Sequence, residues 1–286
     1  MMTAQLLDGK SIAAQLKAKI SQQIKAKVSA GHRQPGLAVI VVGDDPASML
    51  YVRSKRLACE EVGIKSFYHP FSADIEEIEL MTLINQLNSH TEIDGILLQS
   101  PLPKHIDEEN LFDLISPEKD VDGFHAHNIG KLVKRCPLFR PCTPAGVMIL
   151  LDHINQPYNG KHAVIVGASN IVGRPMAFEL MMAGATVTIC HRFTDNLEHI
   201  VQQADILISA VGKIDIIKGK WIKVGSTVID VGQNRMQNGT LTGDVEFAIA
   251  KERAAWITPV PGGVGPMTVA VLMQNTLMAA KYDSHH

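Results

Sequence analysis

The chain lacks a surplus of charge of either sign: 27 Lys and Arg stand against 29 Asp and Glu, a formal net charge of -2. So balanced a composition offers no electrostatic basis for holding nucleic acid or an anionic membrane surface, and small ligands are expected instead. No apolar run reaches the roughly 18 to 20 residues that a membrane-spanning helix needs. The opening residues Met1-Met2-Thr3-Ala4-Gln5-Leu6-Leu7-Asp8-Gly9 carry neither a basic flank nor a signal-like apolar core, so a cytoplasmic protein is expected. Cysteine is scarce. Cys59, Cys136, Cys142 and Cys190 are scattered and form no Cys-x-x-Cys, which argues for free thiols over a disulfide framework or a zinc site. His125-Ala126-His127 has no third ligand near it in sequence, so no metal is expected and the pair reads as polar loop residues.

What the chain does have is alternation. Its 286 residues are enough for two domains of ordinary size. Ile12, Leu16, Ile20, Ile24 and Val28 recur every four residues between Asp8 and Gly31, which predicts one long amphipathic helix ended by a glycine. Leu37 to Val42 is continuously apolar, as in a strand covered on both faces. A helix over 47–62, a short strand at 66–68, a capping box at Asp74 and Glu77 opening the next helix, and a buried strand at 95–99 follow. Pro101, Pro103, Pro117, Pro137, Pro141 and Pro144 punctuate the middle and place a boundary between Arg135 and Gly146.

A second alternating unit begins there, with strands at 162–166, 185–190, 205–209 and 227–231 and a helix over 173–183. This spacing predicts a parallel sheet with helices on both faces. An apolar helix from Met267 to about Lys281 comes after that sheet is complete, so it is expected to return to the first domain. The fold class expected is α/β with two alternating domains, residues 1–140 with the helix 267–286, and a Rossmann-type unit over 141–266. His285 and His286 read as a tail.

Two motifs carry chemistry. Tyr51 and Lys55 stand four apart on a predicted helix, so a phenol and an ammonium share one face and can reach one ligand; the same spacing also fits a half-buried tyrosine beside a solvated lysine. Gly167-Ala168-Ser169-Asn170-Ile171-Val172-Gly173 joins a strand to a helix, where free backbone N–H groups and the positive end of the helix dipole suit a pyrophosphate. Gly167 is the first glycine of a dinucleotide turn, Ser169 stands where a second is usual, and Gly173 comes one residue late, so a turn serving packing alone is the alternative. After the next strand, Cys190-His191-Arg192 offers a guanidinium where NAD sites place a carboxylate, which favours NADP. Arg192 can pair with a 2′-phosphate, and the Ser169 hydroxyl can add a donor; the alternative is a solvated surface arginine.

Longer blocks then become recognisable: Asp45-Pro46-Ala47-Ser48 with Tyr51-Val52-Arg53-Ser54-Lys55; Asp94 to Pro103; Lys119-Asp120-Val121-Asp122-Gly123-Phe124; Pro141 to Gly146; Gly167 to Pro175; and Thr258 to Thr268. In this order and along nearly its whole length, the chain resembles the bifunctional methylenetetrahydrofolate dehydrogenase/cyclohydrolase family. The resemblance implies a catalytic, folate-binding domain and a Rossmann-type NADP domain with a cleft between them, usually in a homodimer, and tetrahydrofolate derivatives as substrates. It implies that NADP takes a hydride from methylenetetrahydrofolate and that water then opens the methenyl cation to 10-formyltetrahydrofolate.

Carried over position by position, the resemblance makes Lys55 the general acid/base, has Tyr51 position and stack on the folate, has Gln99 hold Lys55, and gives the pterin to Asp122, with Asp120 able to share that role. Pro261, Gly262 and Gly263 would line the folate side. Cofactor contacts fall to Gly167, Ala168, Ser169, Ile171, Gly173, Arg174, Arg192 and Gln233, the last standing where the family often has an apolar residue, so that its contact is expected through backbone.

These roles suit the chemistry. Hydride loss needs alignment more than a base, whereas hydrolysis needs a proton removed from water and one delivered to a ring nitrogen. Two other readings compete. Short-chain dehydrogenases also combine Tyr-x-x-x-Lys with a nucleotide turn, but there the turn comes first, within one domain. A non-catalytic NADP-binding sensor would have no need of Lys55, Gln99 and Asp122 together.

Overall fold

The computed structural model describes residues 3–281 except 237, without the side chains of 46 and 47; the expected tail and the end of the range 267–286 lie outside the described residues. Among the described residues no helix is long and apolar enough to cross a membrane. The chain divides into two compact units, one formed by residues up to Ala13 with Thr143–Thr268, the other by Ala14–Cys142 with the chain from Val269 on.

In chain order the N-terminal half contains β1 (Gln5–Leu6), α1 (Gly9–Ser29), β2 (Gly36–Val42), α2 (Pro46–Val62), β3 (Lys65–Phe71), α3 (Glu77–Ser89), β4 (Gly95–Leu98), α4 (Glu108–Leu114) and α5 (Ala126–Val133). β2 lies between β3 and β4 in a parallel sheet of order β3-β2-β4. Every residue of β2 is buried, which is why its sequence is apolar throughout rather than alternating. Ile40 and Ile96 of this sheet pack with Leu80, Ile84 and Leu111 in one core.

The remaining elements are α6 (Cys142–His153), β5 (His162–Val166), α7 (Gly173–Met182), β6 (Thr186–Cys190), α8 (Leu197–Val201), β7 (Ile206–Ser209), β8 (Thr227–Asp230), the antiparallel pair β9 (Asn234–Arg235) and β10 (Leu241–Thr242), α9 (Phe247–Ala250), β11 (Trp256–Ile257) and α10 (Val264–Ala279). Six strands form one parallel sheet in the order β1-β11-β8-β7-β5-β6. From β5 the chain steps outward to β6 and then back to β7 on the other side. That reversal is the switch point at which open α/β sheets leave a crevice beyond the carboxyl ends of the strands. Val164, Leu207, Val228 and Ile257 form the core of this unit.

Four expectations need correction. Residues 1–13 do not belong with 14–140: Gln5 and Leu6 pair with Trp256 and Ile257, and Ala4 sits in the core of the six-stranded unit. The final helix starts at Val264, and only from Val269 does it belong to the three-stranded unit, the return expected of it. On α1, Ile12, Ile20 and Ile24 are buried but Val28 is exposed, because four-residue steps on a helix of 3.6 residues per turn drift by about 40° each. Asp74 does not cap α3. The helix is preceded by Glu76 with no side-chain cap, and Glu77 instead accepts from the Asp107 N–H at 2.7 Å and from Asn110 Nδ2 at 3.0 Å.

Candidate active site

In the three-stranded unit, α2 carries Tyr51 and Lys55. Its start is fixed by Asp45, which accepts from the Ser48 N–H at 2.8 Å and from Ser48 Oγ at 2.9 Å, and its end by Gly63 at φ +91°, whose N–H bonds to Cys59 O. Lys55 is 7% exposed and donates from Nζ to Gln99 Oε1 at 3.0 Å. Gln99 follows β4 directly and extends its ladder, donating its N–H to Ile40 O at 3.0 Å. Its own Nε2 donates to Ser100 O at 2.6 Å, which leaves Oε1 as the atom turned toward the amine. A buried amine therefore meets a neutral acceptor held in one orientation. Tyr51 stands one turn earlier on the helix, half-buried, and burial raises its phenol above the usual range.

The segment Lys119-Asp120-Val121-Asp122 holds two carboxylates, of which the resemblance favours Asp122 but leaves Asp120 able to share its role. Asp120 is 2% exposed. Its Oδ1 accepts from the N–H groups of Gly123 and Phe124 at 3.1 Å each, and its Oδ2 accepts from the His125 N–H at 2.9 Å and from Asn128 Nδ2 at 2.7 Å. Burial pushes its carboxyl up to about 6 despite these donors. Both its oxygens are occupied in closing the turn, while Asp122 is only half-buried. Beside Asp122, the fully buried Cys142 thiol is raised well above its ordinary value, by burial first and by the Asp122 charge next. His125 caps α5, its Nδ1 accepting from the His127 N–H at 2.9 Å, which gives that histidine a structural place.

In the six-stranded unit, Gly167 ends β5 at φ +122°, and its N–H donates to Cys190 O at the end of β6. A Cβ at Gly167 would lie 2.2 Å from Ala210 O, and one at Gly173 would lie 2.1 Å from Gly167 O, so backbones approach there as only glycine permits. Ser169 Oγ accepts from the N–H groups of Val172 and Gly173 at 3.2 and 3.3 Å, which leaves its hydroxyl proton to donate outward. Ala168 and Ile171 are half-buried in the same turn, and Arg174 on α7 is bonded to Asn170 Oδ1. This cradle at the switch point fits a dinucleotide pyrophosphate. Arg192 is exposed two residues past β6, its guanidinium 4.6 Å over the Phe193 ring. Gln233 is exposed, with its side-chain amide against Gly265, where a Cβ would meet Nε2 at 2.6 Å. Its side chain thus has a packing place that sequence did not foresee.

Pro261, Gly262 and Gly263 lie in the turn before α10. Gly262, at φ +106°, accepts from the Lys10 N–H at 2.9 Å, and a Cβ at Gly9 would meet Gly263 O at 1.9 Å. The start of α1 thus fixes this turn, a role for Gly9 that no local pattern marks. Sequence reasoning also passed over Asp244, which is fully buried. Its Oδ2 accepts from the N–H groups of Val211 and Gly212 at 2.7 and 3.1 Å, and its Oδ1 from the Lys213 N–H at 2.9 Å, holding the loop after β7. Its nearest signal is an acid between Gly243 and Val245 with no charged partner in sequence.

Two family models match the chain: tetrahydrofolate dehydrogenase/cyclohydrolase, catalytic domain, over residues 7–122, and the NAD(P)-binding domain of the same family over 141–284. Among solved structures, the bifunctional methylenetetrahydrofolate dehydrogenase/cyclohydrolase of Campylobacter jejuni is 47% identical with a TM-score of 0.95, covering 97% of this chain and 99% of that one. The Trypanosoma brucei methylenetetrahydrofolate dehydrogenase-cyclohydrolase, complexed with NADP and an inhibitor, is 37% identical over the full length of both chains with a TM-score of 0.95. The silkworm (Bombyx mori) 5,10-methylenetetrahydrofolate dehydrogenase is 45% identical with a TM-score of 0.90, covering 97% and 98%.

Proposed function

The chain belongs to the tetrahydrofolate dehydrogenase/cyclohydrolase family, and from that premise we propose how its side chains divide the labour of two reactions. It oxidises 5,10-methylenetetrahydrofolate to 5,10-methenyltetrahydrofolate with NADP and hydrolyses the product to 10-formyltetrahydrofolate. Bound NADP supplies the hydride acceptor. Gly167, Ala168, Ser169, Ile171, Gly173 and Arg174 form its pyrophosphate cradle, Arg192 takes the 2′-phosphate, and Gln233 contacts it near Gly265.

Lys55 is the proton-transfer group of the hydrolysis, and the observation that carries this is its buried hydrogen bond to the oriented, neutral Oε1 of Gln99. An amine so placed can take a proton from attacking water and return one to the leaving ring nitrogen. Gln99 orients it without an anion that would hold it protonated. Tyr51 positions the folate beside it, and Pro261, Gly262 and Gly263 line the folate side. Asp122 rather than Asp120 takes adjacent N–H donors of the pterin, since the oxygens of Asp120 are already filled by four donors. Domain roles follow: the three-stranded unit is catalytic and the six-stranded unit holds the cofactor.

We place the enzyme in the cytoplasm, in keeping with its free thiols. We take the working form to be a homodimer, supported by β6, which ends the sheet with Ile189 exposed and follows α7, on which Met181 is exposed. The short-chain dehydrogenase reading loses its basis, because α2 and the nucleotide turn lie in different units. An absorbance assay with methylenetetrahydrofolate and NADP tests the whole proposal: methenyl absorbance should rise and then decay. NADP binding with no turnover would instead support the sensor.

The state of the Lys55 amine can be tested apart from its presence. Gln99→Glu puts an anion beside the amine and stabilises the ammonium, so the basic limb of the hydrolysis profile should move to higher pH while folate still binds. A profile of active enzyme that stays in place would uncouple Gln99 from the lysine.

A further inference from the structure

The helix α10 is apolar on nearly every side, with Met267, Ala270, Val271, Leu272 and Met273 all buried, yet Asn275 and Thr276 are buried in it as well. Thr276 satisfies its hydroxyl within the helix, donating to Leu272 O at 2.8 Å. Asn275 does not turn inward in this way. Its Nδ2 donates to Val121 O at 2.8 Å and to Arg140 O at 3.2 Å, with Cys142 Sγ 3.6 Å away. The Cys142 thiol donates to the same Val121 O at 3.3 Å, and the Cys142 N–H donates to Asp122 O at 3.2 Å.

Both carbonyls that flank the Asp122 backbone are therefore held from one side by Asn275 and Cys142. The next residue, Gly123, packs backbone to backbone on this clamp, since a Cβ there would lie 2.7 Å from Pro141 N. From the other side Asp120 fixes the N–H groups of 123 to 125. A single half-buried carboxylate is left between two rigid supports. The amide of Asn275 has two N–H donors and faces two carbonyls, so an aspartate of the same shape would turn oxygen against oxygen.

We propose that Asn275 and Cys142 are positioning residues that aim the Asp122 carboxylate at its ligand, a fused heteroaromatic ring presenting adjacent N–H donors. This rests on the assignment of Asp122 to the pterin. A positioning role differs from general stability in its kinetic signature, because it concerns one substrate and not the other.

The experiment is steady-state kinetics on the full chain with both substrates varied. Asn275→Leu, near in volume but without the amide, should raise KM for methylenetetrahydrofolate about tenfold or more and leave KM for NADP within about twofold. Asn275→Asp should be at least as impaired at neutral pH. Cys142→Ser, which keeps a donor, should stay closer to the parent than Cys142→Ala does. Should Asn275→Leu fail to fold, the Cys142→Ala and Cys142→Ser pair decides by the same split. An unchanged folate KM, or an equal rise for both substrates, overturns the proposal. Asp122→Asn in the same assay separates the two claims: if it leaves the folate KM unchanged, the pterin assignment fails, and if it raises that KM while the Asn275 and Cys142 variants do not, the clamp alone fails.

Discussion

Replacing Lys55 by Met is expected to lower cyclohydrolase activity by about 10²-fold or more, the usual scale for a positioned acid/base, and to lower dehydrogenase activity less. Methionine keeps much of the length and the apolar stem of the buried side chain, so α2 and its packing should survive while the amine is lost. On the proposed roles, hydride transfer depends mainly on alignment, which Tyr51 and Asp122 would still provide, whereas the hydrolysis would lose the group assigned to both proton transfers. Methenyltetrahydrofolate should therefore accumulate in a coupled assay. Hydrolysis persisting near the parent rate in the purified variant would make Lys55 a binding or structural residue and remove the central mechanistic claim.

Arg192→Ala should weaken NADP about ten- to hundredfold and leave the use of NAD nearly unchanged, if the guanidinium takes the 2′-phosphate that NAD lacks, as proposed. The Gly167 N–H bonds to Cys190 O, so the strand end that bears Arg192 borders the glycine turn. Comparing KM for the two cofactors decides the matter. Equal weakening would mean that the arginine supports the loop rather than reading the phosphate.

The parts of this fold legible from sequence are those with a local pattern. β2, β4, β5 and β7 are apolar runs because both faces are covered, and the dinucleotide turn shows in Gly167 and Gly173 because no side chain fits there. β1 and β11 have two residues each, too few to show a period, and their pairing joins distant positions, so no local pattern shows which unit the N-terminal segment joins. β3 extends beyond the 66–68 that its pattern suggests, because its mixed residues, Lys65 to Phe71, line an edge and lack an apolar run.

At the site, the spacing of Tyr51 and Lys55 raised a possibility, and the family resemblance gave it a chemistry. The family resemblance points to Asp122, but whether Asp120 can share its role is beyond sequence, since that depends on which oxygens are already filled, and the donors that fill them include Asn128, on the following helix. Asn275 had a faint signal, an amide in an apolar helix, but its partners lie more than a hundred positions earlier in the chain.

Neither unit is a single stretch of polypeptide: each closes only when a segment from the far end of the chain is added. A ribosome that releases residues in order must leave Gln5 and Leu6 unpaired until Trp256 and Ile257 emerge, and the carbonyls of Val121 and Arg140 without the Asn275 amide until α10 does. Domain-by-domain folding during synthesis, the usual course for chains of this size, is thus closed to this protein in its final steps. Severing the chain once between Cys142 and Thr143 would yield a first fragment without α10 and a second without β1, so neither half carries the full set of elements for its own unit.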